Sequence, residues 1–380
     1  MNNCRRIACS DFKSGLSIAF SRVKPPANSR SRSHAAAAAK PAPGSEDTTE
    51  KPRLRAIDLA QKVQQDRSQP QAEKPELSGQ QKRVMELKRF SLQLQHVHPN
   101  VLAKHLHRGV LYEDKDVVVI NKPYGVPVRD DSGATSISSV LPVLSKMMAG
   151  IKIKSDSQLF PCLKLEKEIT GAFLLARSEK VVEQILNLNR NNQVERKYWV
   201  ITVGVPVPSE GVIDIPIIER EVMGPRPHYK MSLSPLFRMN DAGDGMTKVR
   251  AHRQAQSAVT KYRVLDSSSG CSLVELQAFT GVKHQMRVHM ALGLTCPILG
   301  DHKYSHSNKL APQKLPERVL EKLGLEQSKI RHLPLHALAR QMKLSGTNLA
   351  DISVACPIPK YFTQTLKRLC LTFPDEKDYK

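Results

Sequence analysis

Lys283 and Arg287 stand four residues apart in the run Thr280-Gly281-Val282-Lys283-His284-Gln285-Met286-Arg287-Val288-His289. At that spacing two cations share one helical face and repel each other, so the pattern suits an anion lying between or above them. His284 and His289, five apart, fall in the same run without any His-Glu-x-x-His pattern. Both read as core or hydrogen-bonding residues rather than metal ligands or general bases. The seven cysteines, at 4, 9, 162, 271, 296, 356 and 370, include no Cys-x-x-Cys pair. That scatter supports neither a zinc site nor a disulfide framework and fits a reducing compartment. A metal site has little support.

The element that must carry these cations is a helix. Thr280 is placed to cap it, Val282, Met286 and Met290 recur every four residues as its apolar back, and Gly293 closes it. Pro297-Ile298-Leu299-Gly300-Asp301 then forms a tight turn, and turn or surface duty is the expectation for Asp301, as for Glu275. From about Gly109 the texture is one of short strands and turns, with strands expected at 110–112, 117–121, 173–176, 198–203, 212–217, 258–265, 272–276, 335–338 and 352–355. Helices are expected at 137–148, 181–189 and near 361–370, with loop-rich or helical insertions at 219–250 and 305–332. Many antiparallel-length strands with few βαβ crossovers predict an α+β fold rather than a doubly wound sheet.

Charge points to the partner. The chain of 380 residues carries a formal charge of +22. Residues 1–53 hold ten basic and four acidic side chains, leaving 48 basic and 32 acidic for the remainder. The body is therefore basic in its own right, which favours a polyanion, RNA foremost. Arg5, Arg6, Lys13, Arg22, Lys24, Arg30 and Arg32 alternate with Ser, Ala and small apolar residues, and Asp11 is the only acid before Glu46. That is the composition of a mitochondrial transit peptide, so matrix localisation is expected. The alanine run 35–39 with Pro41, Pro43 and Gly44 is linker. Residues 54–107 predict a basic helical arm, mostly solvated. No apolar run approaches the ~18–20 residues needed to span a bilayer.

The 280–304 stretch also resembles a family signature. The RluA-type RNA pseudouridine synthases carry Thr-Gly-Arg-x-His-Gln-Ile-Arg-Val-His followed by Pro-Ile-x-Gly-Asp-x-x-Tyr. Thr280, Gly281, His284, Gln285, Arg287, Val288 and His289 match, as do Pro297, Ile298, Gly300, Asp301 and Tyr304, while Val282 replaces an arginine. A second block is Asn121-Lys122-Pro123-Tyr124-Gly125-Val126-Pro127-Val128, and a third is Arg196-Lys197-Tyr198-Trp199-Val200-Ile201-Thr202-Val203-Gly204. The fourth aligns the family's His-Arg-Leu-Asp-x-x-Thr-Ser/Thr-Gly with Leu163-Lys164-Leu165-Glu166-Lys167-Glu168-Ile169-Thr170-Gly171. Glu166 thus occupies the position of the essential aspartate, Lys164 that of the arginine and Leu163 that of the histidine.

The resemblance implies a pseudouridine-synthase-like domain over 108–372, built on a mixed, mainly antiparallel bent sheet flanked by helices and loops, with 373–380 as a tail. It implies isomerisation of specific uridines without cofactor or metal, Glu166 acting as the catalytic carboxylate, Arg287 as its ion-pair partner and Tyr198 stacking on the base. Lys122, Lys164, Lys197 and Lys283 are the RNA-contact candidates. Glu in place of Asp keeps the charge but moves it by roughly 1.5 Å, and a displacement of about 1 Å can cost on the order of a hundredfold in rate. An alternative expectation follows, a catalytically impaired RNA-binding assembly factor of the same fold. The runs 97–104, 297–304 and 310–315 place the resemblance among mitochondrial members. That implies ribosomal and transfer RNA as substrates, a role in mitoribosome assembly, and assembly factors among the partners.

Overall fold

In a computed structural model of the chain, residue 64 and residues 77–374 are described, apart from 131–134, 150–157, 223–226, 236, 240–245, 249–251 and 346–350. The expected transit peptide at 1–53 lies outside these residues. Lys74–Lys380 form one compact unit.

Two helices open it. In α1 (Gly79–Leu92) the Ser78 hydroxyl accepts from Gln81 N while the Gln81 side chain accepts from Ser78 N, a reciprocal cap. Helix α2 (Pro99–Arg108) starts on Pro99, whose missing N–H costs nothing there. Most of their surface is solvated, but Leu87, Leu102, Ala103 and Leu106 are almost or wholly buried in the core.

The chain continues through β1 (Val110–Glu113), β2 (Val117–Lys122), α3 (Ile137–Ala149), β3 (Phe160–Pro161), β4 (Thr170–Ala176), α4 (Glu179–Arg190), β5 (Val194–Val203) and β6 (Glu210–Asp214). Then come β7 (Ile217–Val222), β8 (His228–Leu233), β9 (Phe237–Met239), β10 (Met246–Lys248), β11 (Val259–Ser268) and β12 (Cys271–Ala278). Last are α5 (Gln285–Val288), α6 (Glu317–Leu323), β13 (Ala337–Leu344), β14 (Ile352–Ala355) and α7 (Lys360–Leu369). A ten-stranded sheet runs β1-β2-β4-β13-β5-β12-β11-β6, with β3 on β4 and β14 on β13. Only β4 with β13 is parallel. The fold is α+β with a mixed, mainly antiparallel sheet, as expected.

Alternation along the strands sorts side chains onto its two faces. On β5, Trp199 and Ile201 join one core cluster while Tyr198 and Val200 join another. On β2 and β4, Val118, Ile120, Phe173 and Leu175 meet α2 and α3. The expected strand at 212–217 is divided, β6 ending at Asp214 and β7 starting at Ile217. Pro216 between them cannot donate to a ladder. The described part of the 219–250 insertion holds strands, with β7 and β8 paired along their full lengths. Its charged residues Glu219, Arg220 and Glu221 hide the strand signal.

Candidate active site

The Leu163–Ile169 loop is fastened before it can present anything. Lys122, fully buried at the end of β2, donates from Nζ to the carbonyls of Pro123 at 3.1 Å, Lys167 at 2.9 Å and Ile169 at 2.9 Å. Gly125 N donates to the same Lys167 carbonyl at 2.8 Å, and Ile169 N turns back to Glu166 O at 3.2 Å. Burial pulls the Lys122 ammonium down to about 7, against the attraction of Glu168 and Glu166. The expectation of Lys122 as an RNA contact is therefore corrected: its charge is spent inside, on the backbone that carries Glu166. Directly after the loop, Gly171 enters β4 at φ +117°, where a Cβ would lie 2.3 Å from Ala339 O.

Arg287 comes from the opposite side. The helix holding it is shorter than expected, Gln285–Val288 followed by a wide π turn at His289–Gly293. Thr280 does not cap it. The Thr280 hydroxyl instead accepts from Val259 N at 2.9 Å and donates to Gln285 Oε1 at 2.7 Å. His284, at φ +56°, breaks the helical path before residue 285. Lys283 and Arg287 consequently do not flank one anion. Lys283, exposed, pairs with Glu219 of β7 at 2.9 Å. Buried Arg287 donates from Nη1 to Glu166 Oε2 at 2.8 Å, and from Nε and Nη2 to Asp301 at 2.9 and 2.8 Å.

Asp301, given turn or surface duty from sequence, is fully buried. Its Oδ1 also accepts from the backbone N–H groups of Lys303 and Tyr304, each at 3.0 Å. The guanidinium thus has two carboxylate neighbours and treats them unequally. Asp301 takes a bidentate edge, and Glu166 takes the remaining nitrogen. Burial would raise Asp301, but Arg287 and the backbone donors hold it below the ordinary carboxylate range. Burial pushes Glu166 above that range, with Arg287 opposing and Glu168 and Asp301 adding to the rise. Burial would lower Arg287 too, yet the two acids keep it well above its usual value.

His284 completes the surround. Burial, with Arg287, pulls it down to about 3, so the imidazole is neutral. Its Nδ1 lies 2.5 Å from the Tyr304 hydroxyl, which accepts from Met231 N at 3.4 Å. That directs the phenol proton to Nδ1 and leaves Nε2–H facing Glu166 Oε2 across 3.8 Å. His289 is a core residue, bonded to Thr260 Oγ1 at 2.9 Å and Ile215 O at 3.0 Å.

A cavity of about 560 Å³ opens over Glu166, walled by Tyr198, Ile169, Lys164, His284, Asn189 and Arg196. Of the other expected RNA contacts, Lys164 is exposed on the cavity wall and Lys283 lies on its rim. Lys197 is corrected: it is not among the cavity-lining residues, and pairs with Glu195 at 3.6 Å and Glu275 at 3.8 Å. Its neighbour Arg196, on the alternate face, reaches the cavity instead. Glu275 is likewise corrected from surface duty, being buried on β12 between Lys197 and Arg263. Sequence reasoning missed Asp301 and Arg196. Strand alternation from Tyr198 could have found Arg196, whereas nothing local distinguishes a turn aspartate from one gripping an arginine. Among the described residues, no three or more His, Cys, Asp or Glu gather as a metal site, and no helix is long and apolar enough to cross a membrane.

A family model described as RNA pseudouridylate synthase matches residues 116–292, the segment that supplies Glu166, Tyr198 and Arg287. The chain is 57% identical over 324 residues to pseudouridylate synthase RPUSD4, mitochondrial, of Danio rerio, covering 84% of this chain and 90% of that one. The Homo sapiens protein of the same name is 50% identical over 323 residues, covering 84% of each. The solved structure of human RNA pseudouridylate synthase domain containing 4 superposes with a TM-score of 0.65 at 51% identity, covering 73% of this chain and 98% of that one.

Proposed function

The chain belongs to the RNA pseudouridylate synthase family, in its mitochondrial branch, and we propose that Glu166 is the carboxylate with which it isomerises uridines of mitochondrial RNA. The observation that carries this is the 2.8 Å contact between Glu166 and Arg287 at the base of a cavity walled by Tyr198. A uridine turned out of its stack can enter such a cavity with its ribose toward the carboxylate. The N1–C1′ bond breaks with Glu166 supporting the sugar, the freed uracil turns over, and C5 bonds to C1′. The C5 proton then leaves and N1 gains one. Tyr198 stacks on the base, and its phenol is suited to that late transfer. No atom enters or leaves overall.

The extra methylene of Glu166 does not break the ion pair, because Arg287 meets the longer side chain at ordinary hydrogen-bond distance. Arg287 supports the ionised carboxylate in a site whose burial disfavours it. Exposed Lys164 and Lys283 offer charge to the RNA backbone. Mitochondrial ribosomal and transfer RNA are the substrates we assign, in support of mitoribosome assembly in the matrix.

The test is pseudouridine mapping on mitochondrial RNA from cells lacking the protein, after incubation with the purified full-length chain. New pseudouridines with wild type, and none with Glu166→Ala, are expected. Tight RNA binding without any new pseudouridine would instead make the chain an assembly factor that has lost turnover.

A further inference from the structure

Arg196 sits half-buried on β5, and its Nε is buried without a hydrogen-bond partner. Its side chain makes no ion pair or hydrogen bond to any described residue. The nearby acids are committed elsewhere: Glu195 to Lys197, Glu275 to Lys197 and Arg263, Glu166 to Arg287. A buried N–H with no acceptor is costly, and this guanidinium lines the same cavity as Glu166 and Tyr198. Arg196 and Tyr198 are two apart on one strand and so share a face, while Lys197 and Trp199 share the other. Asn189, a neutral amide, and Leu186, both from α4, line the same cavity. Glu166 is the one acid among the residues that line it, against the cations Lys164, Arg196 and Lys283.

We propose that Arg196 binds a phosphodiester of the RNA strand beside the uridine held at Glu166, making its part of the cavity the subsite for the adjoining nucleotide. The chemistry is that of an arginine fork, two parallel N–H donors meeting two phosphate oxygens. Lys164, on an exposed and flexible stem, adds a point charge at the wall without that geometry. The assignment rests on the reading of Glu166 and Tyr198 as the uridine end. It adds where the strand continues: past Tyr198 toward α4.

The experiment measures binding of a short single-stranded RNA with one uridine to full-length wild type, R196M and R196K, with each phosphate replaced in turn by an uncharged methylphosphonate. R196M should weaken binding of the unmodified RNA about tenfold, the range of a charge-assisted hydrogen bond. It should also reduce the slope of log affinity against log salt by about one, as the loss of one phosphate contact does. At one linkage beside the uridine, neutralising the phosphate should weaken wild type and leave R196M unchanged. R196K should fall between the two. Equal affinities and slopes for wild type and R196M, or a penalty that persists at every linkage, would overturn the assignment. Should R196M not fold, the wild-type and R196K scans decide, since a single linkage beside the uridine must then be sensitive in wild type and less so in R196K. Pseudouridine formation followed in parallel keeps the readings apart. Wild-type turnover alongside equal binding by wild type and R196M sinks the phosphate subsite alone, and absent turnover by wild type alongside an intact R196M binding loss sinks the catalytic reading of Glu166 alone.

Discussion

A single guanidinium shared unequally between two acids explains how Glu166 can be partly buried, held in place and still open to the cavity. Asp301 takes the two-nitrogen edge of Arg287 and fixes its plane, and the one remaining direction points at Glu166. Asp301→Asn should therefore cost about 3 kcal/mol in stability, because a buried charge loses its full partner, and should lower the single-turnover rate about a hundredfold by letting Arg287 shift. RNA affinity measured alongside should stay close to wild type. The pH profile separates this from simple loosening. In the proposed role Glu166 acts ionised, and its carboxyl is held above the ordinary range, so the wild-type rate should fall as pH drops through that raised value. Asp301 is among the groups that raise it. Removing that charge should move the acid limb to lower pH; an unmoved limb would contradict the arrangement. His284 is neutral throughout this window and contributes no limb of its own. Glu166 and Arg287 were legible because flanking motifs fixed their register. Asp301 was not, since its partner lies fourteen residues back and across the site.

At the scale of elements, the site is a loop and a short helix, and the loop is held by a buried lysine. Lys122 ties the Leu163–Ile169 loop through three carbonyls. Lys122→Met should leave those acceptors unpartnered and cost about 3 kcal/mol, read as a lowered midpoint in denaturant unfolding, with the rate falling further than stability accounts for. A stable, fully active Lys122→Met protein would show that the loop holds itself. Gly171 permits the one parallel pairing in the sheet, and its φ of +117° together with the approach of Ala339 O leaves no room for a side chain. Gly171→Ala should abolish soluble folded protein. Strand positions such as 117–121 and 173–176 were readable because apolar residues run together there between turn signals. The β7–β8 hairpin escaped because both its faces carry charge, and the helix after Thr280 was overestimated because apolar spacing cannot reveal the left-handed turn at His284.

At the scale of the molecule, the basic body and the helices before the sheet belong to one folding unit. Leu87, Leu102 and Leu106 are buried within the core clusters of the sheet, although composition marks 54–107 as a solvated arm. Chains beginning at Lys74 should melt cooperatively like the full-length protein, and chains beginning at Gly109 should not fold, because they expose the surface that those leucines bury. A Gly109 chain with an undiminished melting transition would show the arm to be dispensable. The charge of +22 was legible from the first and points to a polyanion, but which cations face the site was not. Strand alternation and burial, rather than composition, send Lys122 and Lys197 inward or away and bring Arg196 to the cavity.

The most direct measurement is single-turnover pseudouridine formation by wild type, Glu166→Asp, Glu166→Gln and Glu166→Ala on one RNA that the wild type modifies. The ion-paired carboxylate account expects no product from the Gln and Ala proteins. The Asp protein should retain measurable product, since it keeps the charge. Product formed by Glu166→Gln or Glu166→Ala at near the wild-type rate would contradict it and move the chemistry to another group in the cavity.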